Sequence, residues 1–198
     1  MPNTTWPEFT KVPAELWKHI QMNSGVVVTG FDPTDGSYES IIGATGGDVV
    51  FNPQPEFYDL GEGINNLPAN TKQLLRIRGY NPQLSGTFKS VTTALATMLQ
   101  AGAASSGTGI VRIKPSGILQ LSDFKEIAMI GDFSEVNTGA NAGFMAIVLH
   151  DALNRTGFQW TAKNRDKGDF PFQFNGHYDL DNLDQVPFDI YLKQGTAA

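Results

Sequence analysis

Short apolar or β-branched runs alternate with turn residues along almost the whole chain, and this spacing predicts an all-β fold. Residues 25–31 (GVVVTGF) and 48–51 (DVVF) read as strands. In 74–79, Leu75 and Ile77 alternate with Arg76 and Arg78, the period of a half-buried strand. Residues 84–91, 110–114 (IVRIK), 124–133 (FKEIAMIGDF), 158–161, 170–178 and 186–192 supply further strand candidates. The run 143–150 (GFMAIVLH) is almost continuously apolar. It fits a central strand or a buried helical turn, and periodicity does not separate the two. Phe170, Phe172 and Phe174 alternate strictly, which places all three on one strand face, as in a core. Pro171 and Pro187 have no N–H to give to a ladder, so each belongs at a strand start or an edge.

Helical patterning is scarce. Residues 91–101 (VTTALATMLQA) put Leu95, Met98 and Leu99 on one face and predict one main helix. Gly102 then supplies a stop, and 102–109 reads as a small, polar loop. Residues 13–20 fit two short turns with Leu16, Trp17 and Ile20 as the apolar face. Residues 51–72 contain Pro53, Pro55, Gly61, Gly63 and Pro68 and few large apolar side chains, which predicts a long loop, mobile in an isolated subunit. No fixed-period repeat and no linker divides the chain. The expected organisation is one domain over 1–198, with an N-terminal arm at about 1–20 and the long loop at about 51–72.

Charge adds an asymmetry. The net charge is -6, from 20 acids and 14 bases, which argues against electrostatic capture of nucleic acid. Residues 19–71 hold seven acids (Asp32, Asp35, Glu39, Asp48, Glu56, Asp59, Glu62) and no Lys or Arg. Lys72, Arg76 and Arg78 follow at once. One reading is a solvated acidic loop beside a basic strand face. The other is a pair of complementary patches on one hairpin, suited to a neighbouring copy of the chain. On the second reading Glu56, Asp59, Glu62, Lys72, Arg76 and Arg78 are the candidate inter-subunit contacts.

The chain offers little for catalysis. With no cysteine, disulfides, thiolate metal sites and cysteine nucleophiles are excluded. His19, His150 and His177 are too far apart for a short metal-binding motif and read as three unrelated surface or edge histidines. The glycines of 43–47 (GATGG) lack the lysine of a phosphate loop and read as a turn, and no nucleophile elbow occurs. Asp179, Asp181 and Asp184 fail the calcium-loop pattern, because Leu183 takes its fifth position, and read as an acidic turn. Asn154-Arg155-Thr156 fits a glycosylation sequon, but the first 20 residues show no secretory signal and no run is long enough to span a membrane. We therefore expect no enzyme, cofactor, metal or membrane.

The order of features resembles the major tail tube protein of long-tailed, siphovirus-type bacteriophages. Residues 20–28 (IQMNSGVVV) with Phe31-Asp32-Pro33 are similar to the family's approach to its first strand. Residues 42–51 (IGATGGDVVF) resemble the strand leading into its long loop, 72–91 the returning arm and 92–99 the helix that follows. The segments 167–174 (KGDFPFQF), 176–178 (GHY) and 186–191 (VPFDIY) resemble its closing strands. The resemblance implies a β-sandwich with a long extended hairpin loop that forms hexameric rings. These stack into a tube through which DNA passes without specific binding. It also implies other tail proteins as partners at the tube ends, and a place in the virion tail after assembly in the host cytoplasm. The competing expectation is an all-β ligand- or carbohydrate-binding module using Trp6, Trp17 or Trp160.

Overall fold

Val26–Thr29 forms β1 because three consecutive valines favour extended backbone and supply apolar groups to both faces. Gly25 makes its start possible: its φ is +72°, and a Cβ there would lie 2.2 Å from the Ile130 carbonyl oxygen. The computed structural model describes residues 20–21, 25–133 and 143–194, so Trp6, Trp17, His19 and nearly all of the expected 13–20 helical segment lie outside it. The remaining strands are β2 (Ser40–Gly43), β3 (Val50–Asn52), β4 (Pro55–Asp59), β5 (Leu75–Tyr80), β6 (Gln83–Phe88), β7 (Ala103–Ser106), β8 (Arg112–Pro115), β9 (Lys125–Asp132), β10 (Phe144–Asn154), β11 (Phe170–Asn175) and β12 (Phe188–Lys193). Among the described residues there is one α-helix, α1 (Thr93–Gln100), and one short 3-10 turn at Leu121–Asp123. The all-β expectation with one main helix therefore stands.

Eight strands form one antiparallel sheet in the order β2-β1-β9-β10-β11-β6-β3, with β12 also paired to β10. Its two halves share β10. Residues Phe144 to Leu149 pair with β9 on one side and β12 on the other, whereas Leu153 and Asn154 pair with β11. Between these stretches the β9–β10 register shifts, and Asp151 takes a φ of 47°, so a bulge turns the strand from one half into the other. The apolar run at 143–150 is thus a central strand, not a helical turn.

The main core lies between the halves. Val27, Ile127, Met129 and Leu149 come from one, Leu84, Phe88, Phe172 and Phe174 from the other, and Leu95 and Leu99 of α1 complete the cluster. Phe88 and Phe172 stack with centroids 4.4 Å apart. A second buried cluster, Val28, Phe31, Ala128, Ile130, Ala146 and Val148, occupies the opposite face of β1, β9 and β10. Burial on both faces explains why 124–133 and 143–150 are apolar without alternation.

Helix α1 starts at Thr92, whose Oγ1 accepts the Leu95 N–H at 3.1 Å, and it ends where Ala101 and Gly102 adopt positive φ. Asn154 joins the helix end to the sheet. Its Nδ2 donates to the Leu99 and Gly157 carbonyls (2.6 and 3.0 Å), and its Oδ1 accepts from Gln173 N–H and Thr156 Oγ1 (2.9 and 3.1 Å). The sequon asparagine is therefore buried and fully hydrogen-bonded.

Several expectations need correction. Residues 158–161 form no strand; among the described residues their one ladder contact is an isolated bridge between Thr161 and Asp169. The expected loop at 102–109 contains β7, which pairs with β8. The expected loop at 51–72 contains β3's end and all of β4, because the Phe57, Tyr58 and Asp59 backbone finds partners in β5. His150 and His177 are not unrelated: the His177 N–H donates to the His150 carbonyl (3.2 Å), and His177 Nδ1 lies 2.9 Å from the Asp151 carbonyl.

Asn154→Ala leaves buried donors and acceptors unpaired and should cost on the order of 2–3 kcal/mol in urea unfolding. Lys163 and Lys89 both bond Asp169, and their hydrogen bonds hold its carboxyl below the ordinary carboxylate range. A depressed folded value stabilises above the unfolded pKa of about 3.9 and is lost as pH falls through the folded value. Asp169→Asn should accordingly lower the urea midpoint at pH 7, and the gap should close as the pH drops below about 4. A gap that stays constant across this range would contradict the assignment.

Candidate assembly surface

The β3–β6 ladder does not stop at the sheet. Val50, Phe51 and Asn52 pair with Ser85, Leu84 and Gln83, and the same two chain directions continue outward as β4 and β5. Pro53, Pro55 and Pro82 remove ladder donors at the junction, and Gln54 takes a φ of 42°, so the ribbon departs from the sheet. Its base is tied by the Asn81 N–H to the Gln54 carbonyl (3.2 Å) and by Gln54 Nε2 to Gln83 Oε1 (2.9 Å). The Tyr178 hydroxyl accepts the Tyr80 N–H at 3.0 Å and holds the arm from the side.

Beyond that base the arm stands in solvent on both faces. Phe57 and Ile77, opposite each other in the ladder, are 56% and 48% exposed. Tyr58, Leu60 and Ile64 are exposed as well. A two-stranded ribbon alone is marginal in water, and bare apolar cross-strand pairs are unusual on a monomer. The loop between the strands has its own staple: Asp59 Oδ1 accepts Gly61 N–H and Oδ2 accepts Asn70 N–H, both at 2.8 Å.

The six sequence-derived contact residues all fall on this arm, yet they differ in availability. Asp59 is committed to the loop. Arg76 Nη1 donates to the Gln73 and Leu75 carbonyls (2.8 and 2.9 Å). Among the described residues no ion pair engages Glu56, Glu62, Lys72, Arg76 or Arg78. The arm's acids and bases therefore leave one another unneutralised. Arg78 is the extra residue of a bulge opposite the Glu56–Phe57 step, which increases the arm's twist.

Three further surfaces share this character. Among the described residues strand β12 pairs with β10 alone, and its Ile190 and Leu192 are exposed along an edge. The hairpin β7–β8 projects separately and carries Ile110, 92% exposed, at its turn. The loop 30–39 is acidic and is held by Asx turns in which Asp32 and Asp35 accept the N–H groups of Thr34 and Ser37 (2.8 Å each). Those Ser37 hydrogen bonds hold the Asp35 carboxyl below its ordinary value, so the loop keeps its negative charge.

Sequence reasoning missed one polar cluster. His150 lies between two carboxylates, with Nδ1 3.2 Å from Glu126 and Nε2 3.0 Å from Asp189. Burial and the Asp189 carboxylate push the neighbouring Tyr191 hydroxyl above its ordinary value. The group fastens β12 to β9 and β10. The two imidazole nitrogens address different carboxylates, and among the described residues no three His, Asp or Glu side chains converge on a metal position. Asp179 Oδ1 accepts the Asp181 N–H at 3.0 Å, in keeping with a turn. Among the described residues no helix is long and apolar enough to cross a membrane.

No protein-family model matches this sequence, and no curated protein matches it.

The arm's charges give a direct prediction. Arg76 and Arg78 make no ion pair among the described residues, and even an exposed pair is worth only ~0–1 kcal/mol, so reversing both to Glu should shift the monomer's melting temperature by less than about 4 °C. Self-association at low salt, followed by sedimentation, should fall much more. Unchanged association with a destabilised monomer would make these arginines ordinary surface residues.

Proposed function

We propose that this chain is a structural subunit of a bacteriophage tail tube. It assembles as hexameric rings that stack around a lumen for DNA, with other tail proteins at the tube ends. The supporting observation is the β4–β5 arm: a ribbon that leaves the sheet, exposes an apolar pair and carries charges that make no ion pair among the described residues. A second copy of the chain is its natural partner. A ring of identical subunits closes by rotation, and a head-to-tail contact that does not close gives stacking. The exposed edge of β12 supports lateral contact, and the net charge of -6 suits a conduit that does not retain phosphate. On this reading the protein works in the virion tail after assembly in the host cytoplasm, and it carries out no reaction.

Trp160, 66% exposed in the 155–169 loop beside Phe158, favours a second reading as a carbohydrate-binding module. Electron microscopy of the purified chain separates the two. The tube reading expects hollow tubes or rings that grow with concentration. The other expects a concentration-independent monomer whose tryptophan fluorescence responds to sugars. Replacing 55–80 by a two-residue turn between Gln54 and Asn81 should leave a folded monomer that forms no tubes. Tubes of normal yield from that variant would remove the arm from assembly.

A further inference from the structure

The loop from β10 to β11 gathers positive charge around an exposed indole. Thr161 and Asp169 exchange backbone hydrogen bonds (2.9 and 3.0 Å) and close the loop between them. Trp160 precedes that closure, and its ring lies against Gly168, where a Cβ would come within 3.2 Å of Nε1. The residue is nevertheless 66% exposed. Lys163, Arg165 and Lys167 occupy alternate positions of the closed loop, and all three are exposed. Lys163 and Lys89 share the Asp169 carboxylate, which leaves an excess of positive charge there. Asp166 Oδ1 accepts the Lys167 backbone N–H at 2.7 Å. Among the described residues no ion pair engages Arg165 or Lys167. Residues 161–169 and Lys89 thus set four bases against two acids, in a chain whose net charge is -6.

We infer that Trp160 and these cations bind a carboxylate-bearing saccharide. The inference rests on the carbohydrate-binding reading and deepens it by naming the ligand class. The exposed indole offers a flat apolar face for the C–H side of a sugar ring. Gly168, against which the indole rests, is preceded by Lys167 and followed by Asp169 with its two lysines, so the cations are anchored next to the stacking residue. A carboxylate on the stacked ring or its neighbour meets ammonium and guanidinium donors, and hydrogen bonds between charged groups are the strong ones. A neutral sugar suits the loop less. Its hydroxyls need acceptors, and Asp169 already receives two lysines while Asp166 takes a backbone N–H. A nucleic acid strand also suits it less. Such binders line a basic groove with several stacking rings, whereas this loop offers one indole, and the net negative charge of the chain repels a long polyanion.

Calorimetry on the full chain at low salt tests this with two acidic probes and their neutral counterparts: trigalacturonate against its methyl ester, and sialyllactose against lactose. At least one acidic probe should bind, and its neutral counterpart should bind roughly tenfold more weakly. Trp160→Ala, and separately Arg165→Gln with Lys167→Gln, should each weaken the acidic probe by a similar factor. The comparison of acidic with neutral probe needs no variant, so it decides the matter even if a variant folds poorly. Equal binding of an acidic probe and its neutral counterpart overturns the inference and leaves the carbohydrate reading standing. Acidic binding that neither variant weakens lies elsewhere on the chain and also overturns it. Oligothymidylate bound through the same residues, with no sugar bound, makes the loop a nucleic-acid contact and overturns it too. No binding of any probe removes the inference together with the carbohydrate reading.

Discussion

One strand serves both halves of the sheet, and the rest of the molecule is arranged around that constraint. β10 must pair with β9 and β12 over its first half and with β11 at its end. A straight strand cannot do both, so the chain bends at Asp151, which accepts a positive φ that most side chains avoid. The bend frees backbone groups where β12 leaves and β11 begins. They are satisfied locally: the His150 N–H donates to the Pro187 carbonyl at 3.1 Å, and the His177 N–H donates to the His150 carbonyl. The carboxylates of Glu126 and Asp189 then hold the His150 ring, and Asn154 locks the strand's far end to α1. With that corner fixed, the two inner faces meet in one core, and β3 and β6 are placed so that their continuation leads out of the sheet.

The physics of the arm differs from that of the body. The body buries its large apolar groups between the halves. The arm exposes Phe57 and Ile77, and full burial of such a side chain is worth roughly 1.5–3 kcal/mol. An exposed ion pair is worth ~0–1 kcal/mol. In any contact between copies the apolar pair therefore supplies most of the affinity. On the proposed assembly, the charges of Glu56, Arg76 and Arg78 would set orientation and register. Repetition at every interface of a ring or stack multiplies both terms, so a contact that is weak in solution becomes decisive in an assembly.

The sequence made most of the sheet legible, because strand and turn signals in this chain are local. GVVVTGF, the Leu-Arg-Ile-Arg alternation and the three spaced phenylalanines all became strands, and the Thr92–Leu99 pattern became α1. The misses have a common cause. β7 consists of residues with weak strand preference, Ala103 to Ser106, and in β4 only Phe57 and Tyr58 favour a strand, set between Pro55, Glu56 and Asp59; both segments are extended because a partner strand lies beside them. Conversely, Phe158 and Trp160 carry strand-type side chains but find no ladder. The arm's charges were legible as a run without bases followed by three of them. That Asp59 is spent on the loop, and that Glu126, His150 and Asp189 meet across three strands, depends on register and turn geometry that no linear pattern records.

Hydrogen–deuterium exchange tests the central claim, that the arm and the β12 edge are covered by other copies, most directly. Dilute monomer and concentrated assembly are compared segment by segment. The account predicts fast exchange of β4 and β5 amides in the monomer, as for any solvated two-stranded ribbon, and strong protection there and along β12 in the assembly. The amides of β9 and β10 should be slow in both. Assembled particles whose β4–β5 amides exchange as fast as in the monomer would contradict the account, as would a chain that sediments as a monomer at every concentration.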